Sequence, residues 1–476
     1  MEDAVVNTNS LPFGAVRTLA LPSGVSPALT LAAASLGFAV VQLDVTVVNV
    51  ALKTIGSSFG GGIAGLQWVV NAYTVVFAGL ILTSGALGDR LGAKRLFIAG
   101  FILFVAASMA CGAAPSLLML IGARAVQGVG AAVLVPCSLA LLDHSYREPG
   151  ARARAVGIWA GVAGVALAGG PVIGGLLIAS IGWRAIFFIN LPLGLLGIWL
   201  TLQYASESPQ SRERPLDLAG HIAAIVAVAA LAAAMIEGGA VGWSNSLVVA
   251  GFGAFIVAGS AFLAIEASRS GPMLPLSFFA NHTFAAASLV GLLINLAFYG
   301  LIFDLSLYFQ QMKNFTPLFT GLAFMPMTAV VVVTNILSGQ VSAWLGARLP
   351  MVVGQLMFLA GCLCLAAVAA STPYGNLWWQ MVMMGAGIGL TVPPMTSALL
   401  ATIDRGQSGV ASGVLNTTRQ LGSVIGVALF GSLIAGRDQF VPGVHLALYL
   451  SAVVLLIGTI AAFVGIRDEQ PAKCQN

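Results

Sequence analysis

The chain has 476 residues, of which 59% are hydrophobic and only 8% are charged; its formal net charge is +4 and its mean hydropathy is +0.98. A water-soluble domain carries about 25% charged residues, so this composition excludes a soluble globule and indicates a chain whose surface faces lipid. The basic residues lie in short connecting segments rather than on one clustered face, which argues against a nucleic-acid partner.

Fourteen apolar runs follow one another along the chain, each close to the roughly 20 residues that a helix needs to cross a bilayer. The first run is too long for a signal-peptide core, so we expect an uncleaved first span behind a short tail, residues 1–27. We predict helices 1 to 14 with starts near Ala28, Gly65, Leu96, Leu117, Ala155, Ala185, Asp217, Ser246, Thr283, Thr320, Pro350, Asn376, Gly409 and His445.

The distribution of Lys and Arg predicts the orientation, because these residues accumulate in cytoplasmic segments. With both termini in the cytoplasm, most of the 20 basic residues fall on the cytoplasmic side. The outside segments then hold only Lys53, Arg184, Lys313 and Arg437. We therefore predict a multi-pass protein of the cytoplasmic (inner) membrane with both termini inside the cell.

Helices 1 and 4 each contain an ionisable residue, Asp44 and Arg124. Charged groups inside a span are costly and usually functional. Both residues lie about 9 Å below the outer ends of their predicted helices, at 1.5 Å per residue, so an ion pair is expected. Asp44 is a candidate proton carrier if its surroundings change between conformations, whereas a static pair would only fix helix packing. Asp304, near the outer end of helix 9, is the second candidate for proton coupling; a charge at the membrane interface is the alternative.

The segment after helix 2 combines glycine, acidic and basic residues at fixed spacing, G-x3-D-R-x-G-x-K-R. Gly92 permits a tight turn, and the basic residues hold the segment in the cytoplasm. Asp89 is able to meet the positive end of a helix from the other half of the chain. The predicted conformational switch comprises Gly85, Asp89, Arg90, Gly92, Lys94 and Arg95.

Helix 5 contains a second candidate for the conformational switch, formed by Gly170, Pro171, Gly174 and Gly175. Small residues at such spacing let helix backbones approach closely. Pro171 frees a backbone carbonyl and bends the helix. A generic packing face is the alternative interpretation.

Polar side chains on several helices are candidates for the wall of a substrate cavity. Each of them alone is more often a contact between helices than a ligand contact. Arg419, near the middle of helix 13, is expected to face the cavity and either pair with a carboxylate or bind anionic groups. The candidates are Gln127, Asn190, Asn295, Tyr299, Asn416 and Arg419.

The second half of the chain repeats the first. Segment 85–95 is similar to 339–349, 136–142 to 394–400, and 170–174 to 422–426. The repeats predict two six-helix halves, 28–204 and 267–466, joined by a linker at 205–216 and two inserted helices at 217–266, with a second tail at 467–476. Duplicated halves place the substrate site at their interface, near the membrane midplane.

These motifs resemble the major facilitator superfamily over essentially the whole chain, specifically its 14-helix drug:proton antiporter branch and, within it, exporters of the methylenomycin-resistance and multidrug type. Segment 85–95 meets every fixed position of the superfamily signature. The glycines of helix 5 are similar to the signature of antiporters, which favours export over uptake. The sequence departs from the branch at Ala166, where glycine is usual, and at Lys53, where proline is usual.

The resemblance implies an all-α integral membrane protein that exports small amphipathic or antibiotic-like compounds by alternating access. It implies a small-molecule substrate, protons and membrane lipid as partners, a monomer, and no cofactor, since the proton gradient supplies the energy. Export of an endogenous metabolite or a siderophore is the alternative. A multispan membrane enzyme is a remote alternative from another class of protein, because the four histidines lie far apart and show no metal-ligand spacing.

Overall fold

The computed structural model describes residues 26–146, 148–207, 217–269, 274–367, 371–403, 407–436 and 440–467. Within these ranges the chain is all-α, which confirms the predicted fold class, and 13 helices are long and apolar enough to cross a membrane. The fourteenth, α13, has the length but is less apolar. The helices are α1 (Pro27–Phe59), α2 (Ile63–Leu91), α3 (Ala93–Ala113), α4 (Leu117–Ser145), α5 (Pro149–Ser180), α6 (Ala185–Tyr204), α7 (Leu218–Val241), α8 (Ser246–Ser268), α9 (His282–Gln311), α10 (Pro317–Leu345), α11 (Arg348–Ala366), α12 (Trp378–Ala401), α13 (Ser408–Leu433) and α14 (Phe440–Gly465).

Most helices begin within a few residues of their predicted starts, but two boundaries differ in an informative way. α5 begins at Pro149, six residues before its predicted start, because the Glu148 carboxylate accepts hydrogen bonds from the first backbone N–H groups. α1 continues to Phe59 through a polar stretch that resembles a loop in sequence, and ends at Gly60 with φ 69°. Asp44 therefore lies near the middle of α1 rather than near its end.

The helices pack into two groups of six. Helices α1–α6 contact one another, with α1 against α5 and α2 against α4 as main pairs, and helices α9–α14 do the same, with α9 against α13 and α10 against α12. The two groups meet mainly where α5 contacts α10 and α2 contacts α13. These contacts support the two six-helix halves, which we propose as the domain division and call the N-terminal and C-terminal groups.

The two inserted helices lie outside both groups. α7 packs against α2 and against α13, where Val75, Ala232 and Val424 form a small apolar cluster. α8 packs mainly on α7 and is almost wholly exposed. Exposed side chains such as Leu247 and Val257 suit a surface that faces lipid. α7 thus covers the contact between the two groups.

The bundle has two distinct ends. At one end, which we call the terminal face, α1 begins and α14 ends. There, Thr30 Oγ1 donates a hydrogen bond to the Tyr204 carbonyl (3.0 Å), and Thr283 Oγ1 donates one to the Gly465 carbonyl (3.1 Å). The other end is the opposite face.

The two groups are held together near the opposite face. Gln67 Nε2 of α2 donates a hydrogen bond to the Ala428 carbonyl of α13 (2.7 Å), and Ser306 Oγ of α9 donates one to the Asn49 carbonyl of α1 (2.6 Å). Lys53 Nζ also donates to a carbonyl of α9. Polar groups of both halves are therefore paired across their interface at this end.

Near the terminal face, α5 of one group separates from α10 of the other. In the first half of α5, a Cβ atom added at Gly157, Gly161 or Gly164 would meet nothing within 4 Å. Beyond Val331, Ser338 is the single buried residue of α10. The space between the groups is therefore closed at the opposite face, whereas between α5 and α10 it is open towards the terminal face.

Candidate functional site

A buried ion pair joins α1 to α4, as the sequence predicts. Arg124 Nη1 lies 2.5 Å from Asp44 Oδ2, and the two side chains are 1% and 0% exposed. Arg124 Nε also donates to the Val69 carbonyl at 3.1 Å. The carboxylate thus neutralises the guanidinium inside the N-terminal group.

Two amides complete the coordination of the Asp44 carboxylate. Gln127 Nε2 donates to Asp44 Oδ1 at 2.9 Å, and its Oε1 accepts from Arg124 at 2.8 Å. Asn190 Nδ2 contacts Asp44 Oδ1 at 3.4 Å and Ser108 Oγ at 2.9 Å. Gln127 lies three residues after Arg124 and so shares its helix face. Both amides were expected in the cavity wall; the structure instead buries them in this network, where they support an ionised carboxylate.

Tyr73 of α2 connects this network to the other group. The Arg124 guanidinium lies over its ring, 4.3 Å from the centroid. Among the described residues, the buried Tyr73 hydroxyl has no hydrogen-bond partner. It lies within electrostatic range of Asp44, of Arg124 and, across the interface, of Tyr299 in α9. Tyr73 is therefore the residue of this network that lies nearest in electrostatic terms to α9 of the C-terminal group.

A stripe on α9 faces the N-terminal group. At 100° per residue, Asn295, Tyr299 and Ser306 lie within about 40° of one another, and Ser306 makes the contact with α1 described above. An apolar pocket lies along this stripe, between both groups. It is lined by Thr46, Pro171, Phe298, Ile302, Phe324 and Met327, among others.

Arg419 lies midway along α13 and adds an unneutralised cation next to this stripe. It is half-buried, and within the described part of the chain its Nε has no hydrogen-bond partner and no carboxylate pairs with it. Tyr299 lies within electrostatic range of Arg419. Asn416, also half-buried, uses its Nδ2 to donate to the Ser412 carbonyl at 3.1 Å.

Asp304 lies away from this stripe. It follows Asn295 by nine residues, which rotates it by about 180° around α9. Its side chain is 0% exposed, and neither carboxyl oxygen has a hydrogen-bond partner in the described ranges. Asp304 is therefore enclosed on the far side of α9, separate from the Asp44 network.

The predicted switch residues of α5 make contacts with two different helices, α1 and α10. Gly170 and Gly174 face α1; a Cβ atom at Gly174 would lie 2.6 Å from Val47 Cγ2. Gly175 faces α10 of the other group, where a Cβ atom would lie 2.6 Å from the Pro317 carbonyl oxygen. The Pro171 carbonyl is likewise close to Gly321 of α10.

The segment after α2 packs against the end of α6. Gly92 turns the chain with φ 94°. Lys94 Nζ donates to the Ala205 carbonyl (2.7 Å), while Glu207 accepts from the Lys94 backbone N–H (3.1 Å) and lies 3.4 Å from Arg95 Nε. Sequence reasoning missed Glu207, because it lies in a polar linker with no motif of its own.

Asp89→Asn should slow transport at least tenfold without impairing membrane insertion. Leu82 of α2 lies next to Gly413 of α13, so by helical rise Asp89 lies level with the start of α13. Closing the terminal face would bring the carboxylate to the positive end of that helix, and asparagine would lose the charge attraction. Transport rates at equal expression test this; a wild-type rate would mean that the segment only orients the chain.

Comparison with known proteins agrees with this architecture. The sequence profile of the Major Facilitator Superfamily matches residues 34–427. The methylenomycin A resistance protein of Streptomyces coelicolor is 36% identical over 460 residues, covering 96% of this chain and 94% of that protein. The multidrug resistance protein Stp of Mycobacterium tuberculosis is 37% identical, covering 86% of this chain and 76% of that protein.

Among solved structures, a bacterial homologue of the human lysosomal transporter Spinster, in an inward-facing and unoccupied conformation, has the same fold. The TM-score is 0.65 at 18% identity, and the match covers 94% of this chain and 99% of that one.

Proposed function

Because the chain belongs to the Major Facilitator Superfamily, we propose that it exports small amphipathic or antibiotic-like compounds across the cytoplasmic membrane in exchange for protons. Membership makes it a multi-pass transporter rather than an enzyme. The names of its relatives, which denote antibiotic resistance and multidrug resistance, support export. The observation that carries the proton coupling is the buried carboxylate of Asp44, held by Arg124 and two amides.

The proposed cycle follows from which end of the bundle is open. We assign the terminal face to the cytoplasm, from which substrate enters the space between the groups while Asp44 is ionised and paired. Separation of α5 from α10 and of α2 from α13 near the opposite face would open the cavity outwards, where Asp44 takes up a proton as substrate leaves. Return to the cytoplasm-open state restores the pair with Arg124 and releases the proton inside.

Tyr73 is the proposed link between bound substrate and this pair, since its ring contacts Arg124 and it lies within electrostatic range of Tyr299. The proposal requires no cofactor and no second subunit.

Export should stop when the proton gradient is collapsed, even when ATP is present. The sequence contains no phosphate-binding loop of the form G-x4-G-K-[ST]. The test is a resistance screen in an efflux-deficient host, with methylenomycin A among the antibiotics, followed by accumulation measurements with and without a protonophore. Resistance should fall to the level of the empty host, and export that continues on ATP alone would contradict the proposal.

A further inference from the structure

We propose that the transported compounds carry an anionic group, such as a carboxylate, which binds to Arg419 in the cavity. Their apolar part would then lie along the α9 stripe beside Tyr299. This inference rests on the proposed export function and specifies the substrate class.

The two arginines deep inside helices differ in how their charge is balanced. Arg124 is fully enclosed and neutralised by Asp44. Arg419 forms no ion pair within the described residues, and its buried Nε donor is unused. Charged groups inside a span normally pair with one another or with backbone carbonyls, so an unpaired, half-buried guanidinium in the middle of α13 indicates a ligand of opposite charge.

The position of Arg419 is fixed by packing along its stem. A Cβ atom at Gly291 of α9 would lie 3.3 Å from Arg419 Cγ and a similar distance from Leu415 Cδ1 and Met395 Sδ. The aliphatic part of the side chain therefore lies among residues of α9, α12 and its own helix α13. A guanidinium held in this way binds a planar carboxylate with little loss of freedom, through two parallel hydrogen bonds.

The surroundings suit an amphipathic anion rather than an inorganic one. Tyr299, within electrostatic range of Arg419, lies on the same α9 stripe as Ile302, which lines the apolar pocket. Phe298 and Phe324 add aromatic surface there. An anionic head at Arg419 with an aromatic or aliphatic body along α9 would use both features.

The test compares aromatic carboxylates with their primary amides, for example naphthalene-1-acetate and naphthalene-1-acetamide, in binding to the purified full-length protein. The carboxylates should bind at least about tenfold more tightly than the amides, because only they form charge-assisted hydrogen bonds. Arg419→Gln should remove this preference, and Arg419→Lys should keep part of it. Arg348→Gln is the matched control, because Arg348 lies at the start of α11 against Phe463, outside the cavity.

Equal binding of acids and amides, no binding of either at millimolar concentration, or an unchanged preference in Arg419→Gln would overturn the inference. Export assays on the same preparations separate it from the proposed function. Gradient-driven export of neutral or cationic compounds, without any preference for acids, would support the proposed export function but contradict the anion site. Carboxylate binding that depends on Arg419, without any gradient-driven export, would contradict the proposed export function but support the anion site.

Discussion

Replacing Asp44 with asparagine should reduce gradient-driven export to the background of the empty host. The change keeps the size of the side chain but removes the titratable group and directs an amide N–H towards donors that now contact a carboxylate. It also leaves Arg124 without a counter-ion in the membrane interior. Substrate binding, and exchange of substrate for substrate, should survive because neither requires net proton movement.

Proton release on substrate addition is the decisive measurement for Asp44. Because substrate binds the form with ionised Asp44, its addition should draw wild-type protein out of the protonated form and release protons in detergent or liposomes. Asp44→Asn should release none. Asp304→Asn is the matched comparison, because Asp304 is equally buried but has no contact with the network. If Asp44→Asn still releases protons and Asp304→Asn does not, Asp304 is the carrier and the assignment of Asp44 is wrong.

Replacing Gly175 with leucine should abolish export while leaving the protein folded and inserted. The added side chain would meet backbone atoms of Pro317 and Leu318, and side-chain rotation cannot relieve a clash with backbone. This contact joins the two groups at the closed opposite face, so the substitution should hold that face open. Cysteine labelling with a membrane-impermeant reagent should then show increased access from the opposite face and decreased access from the terminal face.

Two other glycines of α5 serve as comparisons for Gly175. Gly161→Leu should leave export nearly unchanged, because a Cβ atom there meets nothing within 4 Å. Gly174→Leu should lower the amount of folded protein, because Gly174 packs against Val47 inside the N-terminal group. Normal export by Gly175→Leu would show that α5 and α10 do not need this close approach.

Sequence patterns predicted the features that depend on one helix at a time. Hydropathy located the fourteen helices, because the requirement to span a bilayer is local. The pairing of Asp44 with Arg124 was predicted because each is an ionisable residue inside an apolar span and their charges are opposite. The depth assigned to Asp44 by residue count was wrong, since α1 continues to Phe59.

The features that depend on rotation between helices were not predictable in this way. Gln127 and Asn190 are polar residues of the kind expected in a cavity wall, but α4 and α6 turn them towards Asp44. The enclosure of Asp304 follows from its position half a turn away from Asn295, and hydropathy does not show which side of α9 faces the other group. Glu207 binds Lys94 and Arg95 across a distance in sequence that no local pattern spans.

The low apolarity of α13 has a consequence for how the chain is made. On translocon scales, an arginine at the centre of a helix opposes insertion by about 2.5–3.5 kcal/mol, and α13 carries Arg419 near its midpoint. This helix therefore depends on protein neighbours to stay in the membrane during biogenesis. Its main contacts are with α9 and α2, which are both synthesised before it, so the order of translation provides the partners that α13 needs as it leaves the ribosome.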